Sequence, residues 1–417
     1  MNAPTKTDLN KLMIAHHLLA GFSFFMVALL LLFAATDFGG HYFQPRLLAI
    51  THLTALGWFC ALIFSLCYKL LPQFYPGFKV NTKLAWISFG LFVIGLAHLI
   101  YSFWVFEPGW PMQCAAALLL ISISCLVWQI FKAGKQTVKP DVFQDFLSTS
   151  AIWLLLTVIL GFLMVFNFRF AFLPMDHVVF LKLHAHAGFG GWFLLLLIAI
   201  SSKSLPEYLQ LKPDKTHLLH SSFYLINLAL LAFFINTYLF GLNNITYLII
   251  GLAVFGVFCW LFYLLPFVML SVKRKVQTDG TSFLSALLLF FIALIVVPLI
   301  VYYQFRESNT AINLSVFYGF LLLLGCLGSL MQSRFFGLHF SSEKLSGPRL
   351  NELAKLRILC YLISTAVFSI GILLKNTALI HLALFAFVTS AILYLLCIFA
   401  NLPAKLSHFV KQHRIQK

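Results

Sequence analysis

The sequence is poor in charged residues. Asp, Glu, Lys and Arg make up 10% of the 417 residues, whereas a soluble globular domain carries about 25%. Hydrophobic residues account for 61%, and the mean hydropathy is +0.96. This composition excludes a water-soluble globule and indicates a protein of the lipid bilayer. The net charge of +16 does not indicate a nucleic-acid partner, because the basic residues lie mainly in short loops between apolar runs.

Acidic residues are the scarcest charged class. There are 12, and all of them fall in predicted loops or at predicted helix ends. Proton-coupled transporters usually place an acidic side chain at membrane depth, so this distribution counts against an ion-coupled transporter. The 8 cysteines lack the spacing of a zinc site or a disulfide framework. We expect them to be small, buried, apolar residues.

What the sequence has in abundance is long apolar runs. About twelve of them can cross ~30 Å of hydrocarbon as helices. They cover residues 10–35, 46–71, 84–104, 111–131, 146–168, 176–202, 216–236, 244–270, 281–305, 311–333, 353–374 and 378–400. The sequence therefore predicts an all-α, polytopic membrane protein that forms a single transmembrane domain, residues 1–417.

The basic residues are distributed unequally between the two sides of the predicted membrane domain. Of the 28 Lys and Arg residues, all but five lie on the side that holds both termini. Cytoplasmic loops carry such an excess of Lys and Arg. We therefore expect both termini in the cytoplasm and a multi-pass protein of the cytoplasmic (inner) membrane. The five exceptions are Arg46, Arg169, Lys182, Arg306 and Lys375.

Two of the apolar runs are related to each other. The segments are ITHLTALGWFCALIFSLCYKLLPQFY, residues 50–75, and LKLHAHAGFGGWFLLLLIAISSKSLPEY, residues 181–208. Equivalent residues are 134 positions apart. The pairs are His52 and His186, Gly57 and Gly191, Trp58 and Trp192, Lys69 and Lys203, and Pro72 and Pro206.

This regular offset indicates an internal repeat, which is a feature of polytopic membrane proteins. We expect three four-helix units at about residues 10–132, 146–270 and 281–400. The third unit lacks a histidine at the matching place and is inferred from the number of helices alone.

Histidine is the only chemically competent residue type well inside the predicted membrane domain. Four histidines share its outer half: His52, His98, His184 and His186. An imidazole without a partner in hydrocarbon costs several kcal/mol (roughly 4–8 on a cyclohexane scale), so each needs a hydrogen bond or a metal. A hydrogen bond to a neighbouring helix suits a lone histidine such as His98, whereas four at one level favour a metal cofactor.

The geometry of a helix constrains how these histidines can act together. Positions two apart differ by about 200° in azimuth, so His184 and His186 point to opposite sides of their helix. His52 and His186 are equivalent in the repeat. We expect them to face each other across a cofactor, as the two axial ligands of a low-spin heme do.

Four glycines near these histidines have two possible roles. Gly57, Gly188, Gly190 and Gly191 could leave room for a porphyrin. They could equally allow close packing of helices, as small residues commonly do in membranes. Both interpretations remain open from the sequence.

The segment HAHAGFGGW, which begins at His184, resembles the H-x-H-x-G-x-x-G-W segment of the heme-copper oxidase superfamily. The similarity is greatest to the cbb-type oxidases, and nitric oxide reductase large subunits belong to the same superfamily. The chain is less closely similar to the NnrS family of heme proteins. The resemblance implies a bundle of twelve helices in three arcs of four.

The resemblance also implies roles for the histidines. His186 and His52 would be the axial ligands of a low-spin heme b, and His184 would hold a second, high-spin heme. His98 is a further candidate metal ligand on the distal side. The family's set of copper ligands is not present, so copper is not expected.

These observations favour a b-type heme protein that transfers electrons or binds or reduces a diatomic gas, O2 or NO. As an enzyme it would be an oxidoreductase without a complete copper site. Other respiratory-chain subunits or a cytochrome c-like electron donor are the protein partners that this function implies. Two alternatives remain: a transporter or permease without heme, and a catalytically inactive assembly factor for a respiratory complex.

Overall fold

A computed structural model describes residues 6–39, 41–137, 139–212, 214–273, 280–332 and 348–415. Within these ranges the regular structure is helical, and twelve helices are long and apolar enough to cross a membrane. The predicted all-α, polytopic membrane fold is therefore confirmed. The helices are α1 (Lys6–Phe33), α2 (Pro45–Phe74), α3 (Thr82–Val105), α4 (Trp110–Gly134), α5 (Val142–Phe170), α6 (His177–Glu207), α7 (Thr216–Phe240), α8 (Ile245–Lys273), α9 (Gly280–Phe305), α10 (Thr310–Gln332), α11 (Pro348–Leu374) and α12 (Thr377–Ile415).

The described residues divide into two compact units. Unit 1 contains residues 6–68, 103–105 and 280–415, so it includes α1, most of α2, and α9 to α12. Unit 2 contains residues 69–102 and 106–273, so it includes most of α3, and α4 to α8. The single transmembrane domain predicted for residues 1–417 stays a prediction.

The second helix of each predicted repeat is the most deeply buried of its four. In the most hydrophobic part of α2, α6 and α10, 78%, 61% and 78% of the residues are buried. The corresponding share is between 22% and 50% for the other nine candidate spans of the described chain. His52, His184 and His186 therefore belong to two of the three most deeply buried helices, α2 and α6, and the remaining helices expose more of their residues.

Each of α2, α6 and α10 contains a π-helical segment, in which the backbone makes wider turns than in an α-helix. The segments are Leu53–Cys60, Ala187–Leu194 and Leu321–Leu327. Their first residues, 53, 187 and 321, are separated by the same 134 positions that relate the two sequence segments. This agreement supports the third repeat. In that repeat Phe320 occupies the position that His52 and His186 hold in the first two.

The first helix of each repeat packs against the π segment of the second. In unit 1 the π segments of α2 and α10 pack against α1 and α9, and in unit 2 that of α6 packs against α5. A glycine lies at the same place in each contact, where a β-carbon would meet a side chain of the first helix. These residues are Gly57 against Ser23, Gly191 against Trp153, and Gly325 against Leu289.

The core of unit 1 is aromatic. Trp58 of α2 stacks on Phe24 of α1 with ring centroids 4.0 Å apart, and Tyr361 of α11 lies 6.1 Å from Trp58. The Tyr361 hydroxyl donates to the carbonyl oxygen of Leu324 in the π segment of α10. Helices α1 and α12 also pack together, so the first and last helices of the chain are neighbours within this unit.

In unit 2 hydrogen bonds fix the ends and contacts of several helices. Asp141 and Gln144 form a capping box at the start of α5, which satisfies backbone donors that a helix terminus leaves unpaired. Gln144 also donates to the carbonyl oxygen of Phe74, at 2.6 Å. Ser88 of α3 and Ser122 of α4 each donate to the backbone carbonyl of the other, at 2.9 and 2.7 Å.

Two expectations about polar residues have different outcomes. No Asp or Glu is buried among the residues that the structure describes, in agreement with the placement of acids in loops and at helix ends. The expectation that every cysteine is buried is wrong: Cys114 is exposed, and Cys125 and Cys360 are half-buried, because the helices that carry them expose part of their surface. Residues 333–347, which include the charged residues Arg334, Glu343 and Lys344, lie outside the described ranges.

The glycine contacts predict a graded loss of stability. In Gly191→Ala the new β-carbon would lie 2.4 Å from Cβ and Cγ of Trp153, and overpacking of this kind costs about 1–3 kcal/mol. Gly325→Ala should cost less, because its nearest neighbour is the end of the Leu289 side chain at 3.2 Å. Thermal unfolding of the purified protein in detergent measures both effects.

Gly251→Ala is the control, since a β-carbon there would meet nothing within 4 Å. Its melting temperature should equal or slightly exceed that of the wild type. An equal drop for Gly251→Ala and Gly191→Ala would contradict the packing role.

Candidate functional site

His52 lies in the last turn of the α-helical part of α2, directly before the π segment. Its Nδ1 is 2.7 Å from the carbonyl oxygen of Leu48, one turn earlier. The ring is partly buried and stacks on Phe103 of α3, with centroids 4.9 Å apart and an interplanar angle of 29°. Both contacts lie within unit 1.

His186 has the same surroundings in unit 2. It also ends an α-helical stretch directly before a π segment, and its Nδ1 is 2.8 Å from the carbonyl oxygen of Lys182. Its ring lies 4.3 Å from that of Phe233 in α7, at 34°. The sequence equivalence of His52 and His186 is thus matched by equivalent hydrogen bonds. Each ring also lies against a phenylalanine of the next helix, but Phe103 and Phe233 do not occupy equivalent positions of the 134-residue repeat.

The hydrogen bonds of these two imidazoles determine their tautomer. A carbonyl oxygen can only accept, so Nδ1 must carry the proton in both rings, and the lone pair is then on Nε2. Histidines that bind metals commonly donate one ring N–H to a carbonyl oxygen in this way, which fixes the ring and directs the other nitrogen at the metal. The tautomer therefore fits metal ligation through Nε2.

His184 lies on the other side of α6 from His186. Its Nδ1 is 2.8 Å from the carbonyl oxygen of Thr157 in α5, and its ring packs against Gly161 of the same helix. His186 instead contacts Phe233 of α7. The two neighbours confirm that the H-x-H spacing directs the rings to opposite sides, so the two histidines cannot chelate one ion together.

His98 differs from the other three candidates in its exposure. Its Nδ1 lies 2.9 Å from the carbonyl oxygen of Ile94, and the residue is exposed on α3. His381 of α12 makes the same contact, with Thr377, and is also exposed. A hydrogen bond to the preceding turn is therefore not specific to a ligand. What distinguishes His52 and His186 is that they combine this bond with partial burial, aromatic stacking and a following π segment.

The four glycines next to the histidines are covered by protein side chains. A β-carbon at Gly57 would meet Ser23, and one at Gly191 would meet Trp153. One at Gly190 would lie 2.9 Å from Leu230, and one at Gly188 would lie 3.3 Å from Thr157. These contacts select the helix-packing interpretation. The glycines do not provide an open surface for a porphyrin, so any heme must meet the imidazoles from another direction.

No cluster of three or more His, Cys, Asp or Glu residues that could hold a metal ion occurs in the part of the chain that the structure describes. A heme does not need such a cluster, because the porphyrin supplies four nitrogens and the protein one or two axial ligands. The imidazole tautomers of His52 and His186 fit that requirement. The expectation that these two rings share one heme stays a prediction, since His52 belongs to unit 1 and His186 to unit 2.

The stacking residues Phe103 and Phe233 are absent from the sequence-based candidates. They are two of 47 phenylalanines, so composition gives them no distinction. The signal that could have identified them is their location on the third helix of a repeat, next to the helix that carries the histidine.

A search with the sequence found no matching protein-family model and no curated protein with significant similarity.

The contact between Gly161 and His184 gives a direct test of how His184 is held. In Gly161→Ala a β-carbon would lie 3.1 Å from Cε1 and 3.5 Å from Nδ1 of His184. The imidazole must then shift by a few tenths of an ångström, which weakens its bond to Thr157. We expect a changed 15N chemical shift of His184 in histidine-labelled protein, measured by solid-state NMR.

Gly90→Ala provides the control in the same unit, because a β-carbon there would meet nothing within 4 Å. An unchanged His184 signal in Gly161→Ala would show that the ring is not held against α5.

Proposed function

We propose that this protein is a b-type heme protein of the cytoplasmic membrane in which His52 and His186 would each offer Nε2 as a ligand for heme iron. The observation that carries the proposal is the equivalence of the two imidazoles. They occupy the same repeat position, have the same Nδ1–H tautomer, and stack on a phenylalanine of the next helix. In a membrane domain without buried acids among the described residues, these rings are the strongest candidates for chemistry.

The chain's own residues would perform three tasks at such a site. The carbonyl oxygens of Leu48 and Lys182 hold the Nδ1 protons, so in each neutral ring the lone pair is on Nε2. Phe103 and Phe233 cover one face of each ring. The burial of most residues in the most hydrophobic parts of α2 and α6 limits the access of water to these rings.

Heme bound at these histidines would supply either one-electron transfer or the binding of a diatomic gas, O2 or NO. The first case requires a redox partner, such as a cytochrome c-like donor or another respiratory subunit. His184 is the candidate for the second case, because its tautomer also leaves the lone pair on Nε2. His98 has no place in the proposal, since its exposed ring is not enclosed by the helices that hold the others.

The histidine variants test the ligand assignment. Protein expressed with adequate heme should show a Soret band and, after reduction with dithionite, a low-spin b-type spectrum. His52→Ala and His186→Ala should lose the low-spin signal, because each removes an axial nitrogen. His184→Ala should lose only the part of the spectrum that responds to CO. The measurement is the reduced-minus-oxidised spectrum, with and without CO.

The exposed residues His98 and His381 supply matched controls, and their alanine variants should keep the wild-type spectrum. A wild-type protein without Soret absorbance would remove the proposed function. Identical spectra in all histidine variants would leave a heme protein with other ligands. Substrate uptake into proteoliposomes without heme would instead indicate a transporter, and co-purification with oxidase subunits without a spectral response would indicate an assembly factor.

A further inference from the structure

An aromatic contact of similar geometry occurs in all three repeats, although the phenylalanines on the third helices do not occupy equivalent positions of the 134-residue repeat. His52 stacks on Phe103, His186 packs on Phe233, and in the third repeat Phe320 stacks on Phe368 of α11. The centroid distances are 4.9, 4.3 and 4.5 Å, and the interplanar angles are 29°, 34° and 23°. Each pair joins the second helix of a repeat to the third, at the residue that precedes the π segment.

The third repeat separates the role of the stack from the role of the imidazole. Phe320 stands where the other repeats have histidine, and it packs on Phe368 in the same manner. An aromatic contact at this residue of the second helix therefore recurs with and without an imidazole, supplied by a different position of the third helix in each repeat. In the first two repeats one partner of the contact is an imidazole. The orientation of its ring plane sets the direction in which Nε2 could bind a metal.

Two constraints together fix the plane of each imidazole. The Nδ1–H bond to the preceding turn holds one point of the ring, and rotation about the bond between Cβ and Cγ would break it. The phenylalanine face blocks the same rotation by contact, in one of the near-parallel or tilted arrangements that aromatic pairs adopt. Groups that orient a ligating imidazole in this way govern the strength and direction of its bond to a metal.

We propose that Phe103 and Phe233 are positioning residues that hold the ring planes and the Nδ1–H tautomers of His52 and His186, whereas Phe368 has a purely structural role. The consequence for an iron site rests on the function proposed above, but the constraint on the imidazoles exists without heme. The two ideas can therefore be tested separately in the same protein.

The experiment compares Phe103→Leu, Phe233→Leu and Phe368→Leu in lipid-reconstituted, 15N-histidine-labelled protein. Solid-state NMR of the heme-free protein reads the tautomer of each histidine, with His52→Ala and His186→Ala to assign the signals. Phe103→Leu should change His52 from a single tautomer to a mixture or a broadened signal, and Phe233→Leu should do the same to His186. Phe368→Leu should change neither.

Phe368→Leu is the matched control, since Phe103 and Phe368 are both buried and both lose the same kind of stack. It should lower the melting temperature about as much as Phe103→Leu, so a general loss of stability cannot imitate the result. Phe103→Tyr retains the ring and should restore the His52 signal. If Phe103→Leu does not fold, the half-buried Phe233 still provides an independent test.

The EPR spectrum of heme-loaded protein adds the readout that links positioning to the iron. Phe103→Leu and Phe233→Leu should shift or broaden the low-spin signal, and Phe368→Leu should not. Unchanged histidine signals in both leucine variants, or equal changes in Phe368→Leu, would overturn the positioning role. Altered NMR signals in a protein that binds no heme would support the positioning of the imidazoles and refute the proposed function instead.

Discussion

The close approach of the first helix of each repeat to the second is the contact on which the rest of the structure depends. It is made at a glycine within a π segment, where the neighbouring side chains of Ser23, Trp153 and Leu289 occupy the space of a β-carbon. In lipid, helices gain little from the hydrophobic effect and associate through such close packing. The contact contributes to the high buried share of α2, α6 and α10, and so determines which side chains are shielded from the lipid.

Withdrawal from water has a specific consequence for an imidazole. A buried ring needs partners for its polar atoms, and the preceding turn of the same helix supplies a carbonyl oxygen for Nδ1 of both His52 and His186. The neighbouring phenylalanine then limits the rotation of the ring. A bond that satisfies a polar atom of the ring thus also selects its tautomer.

The three repeats share a π segment and differ in the residue that precedes it. The π segments begin at Leu53, Ala187 and Leu321, and the residue before each is His52, His186 or Phe320. π-helical turns are rare and are often found at functional sites. The third repeat has the π segment at the equivalent position but no histidine before it, so the backbone turn is common to the three repeats and the imidazole is not.

The sequence by itself determined the number and approximate extent of the helices, because these depend on runs of apolar residues that are read locally. It also determined the 134-residue repeat and the opposite directions of His184 and His186, since both follow from spacing along one helix. Only the tertiary structure decided that Trp153 and Leu230 fill the space at Gly191 and Gly190, that π segments follow the histidines, and that phenylalanines cover the rings. Such contacts depend on which side chains of other helices pack at the same place. Periodicity along one helix carries no information about its packing partners.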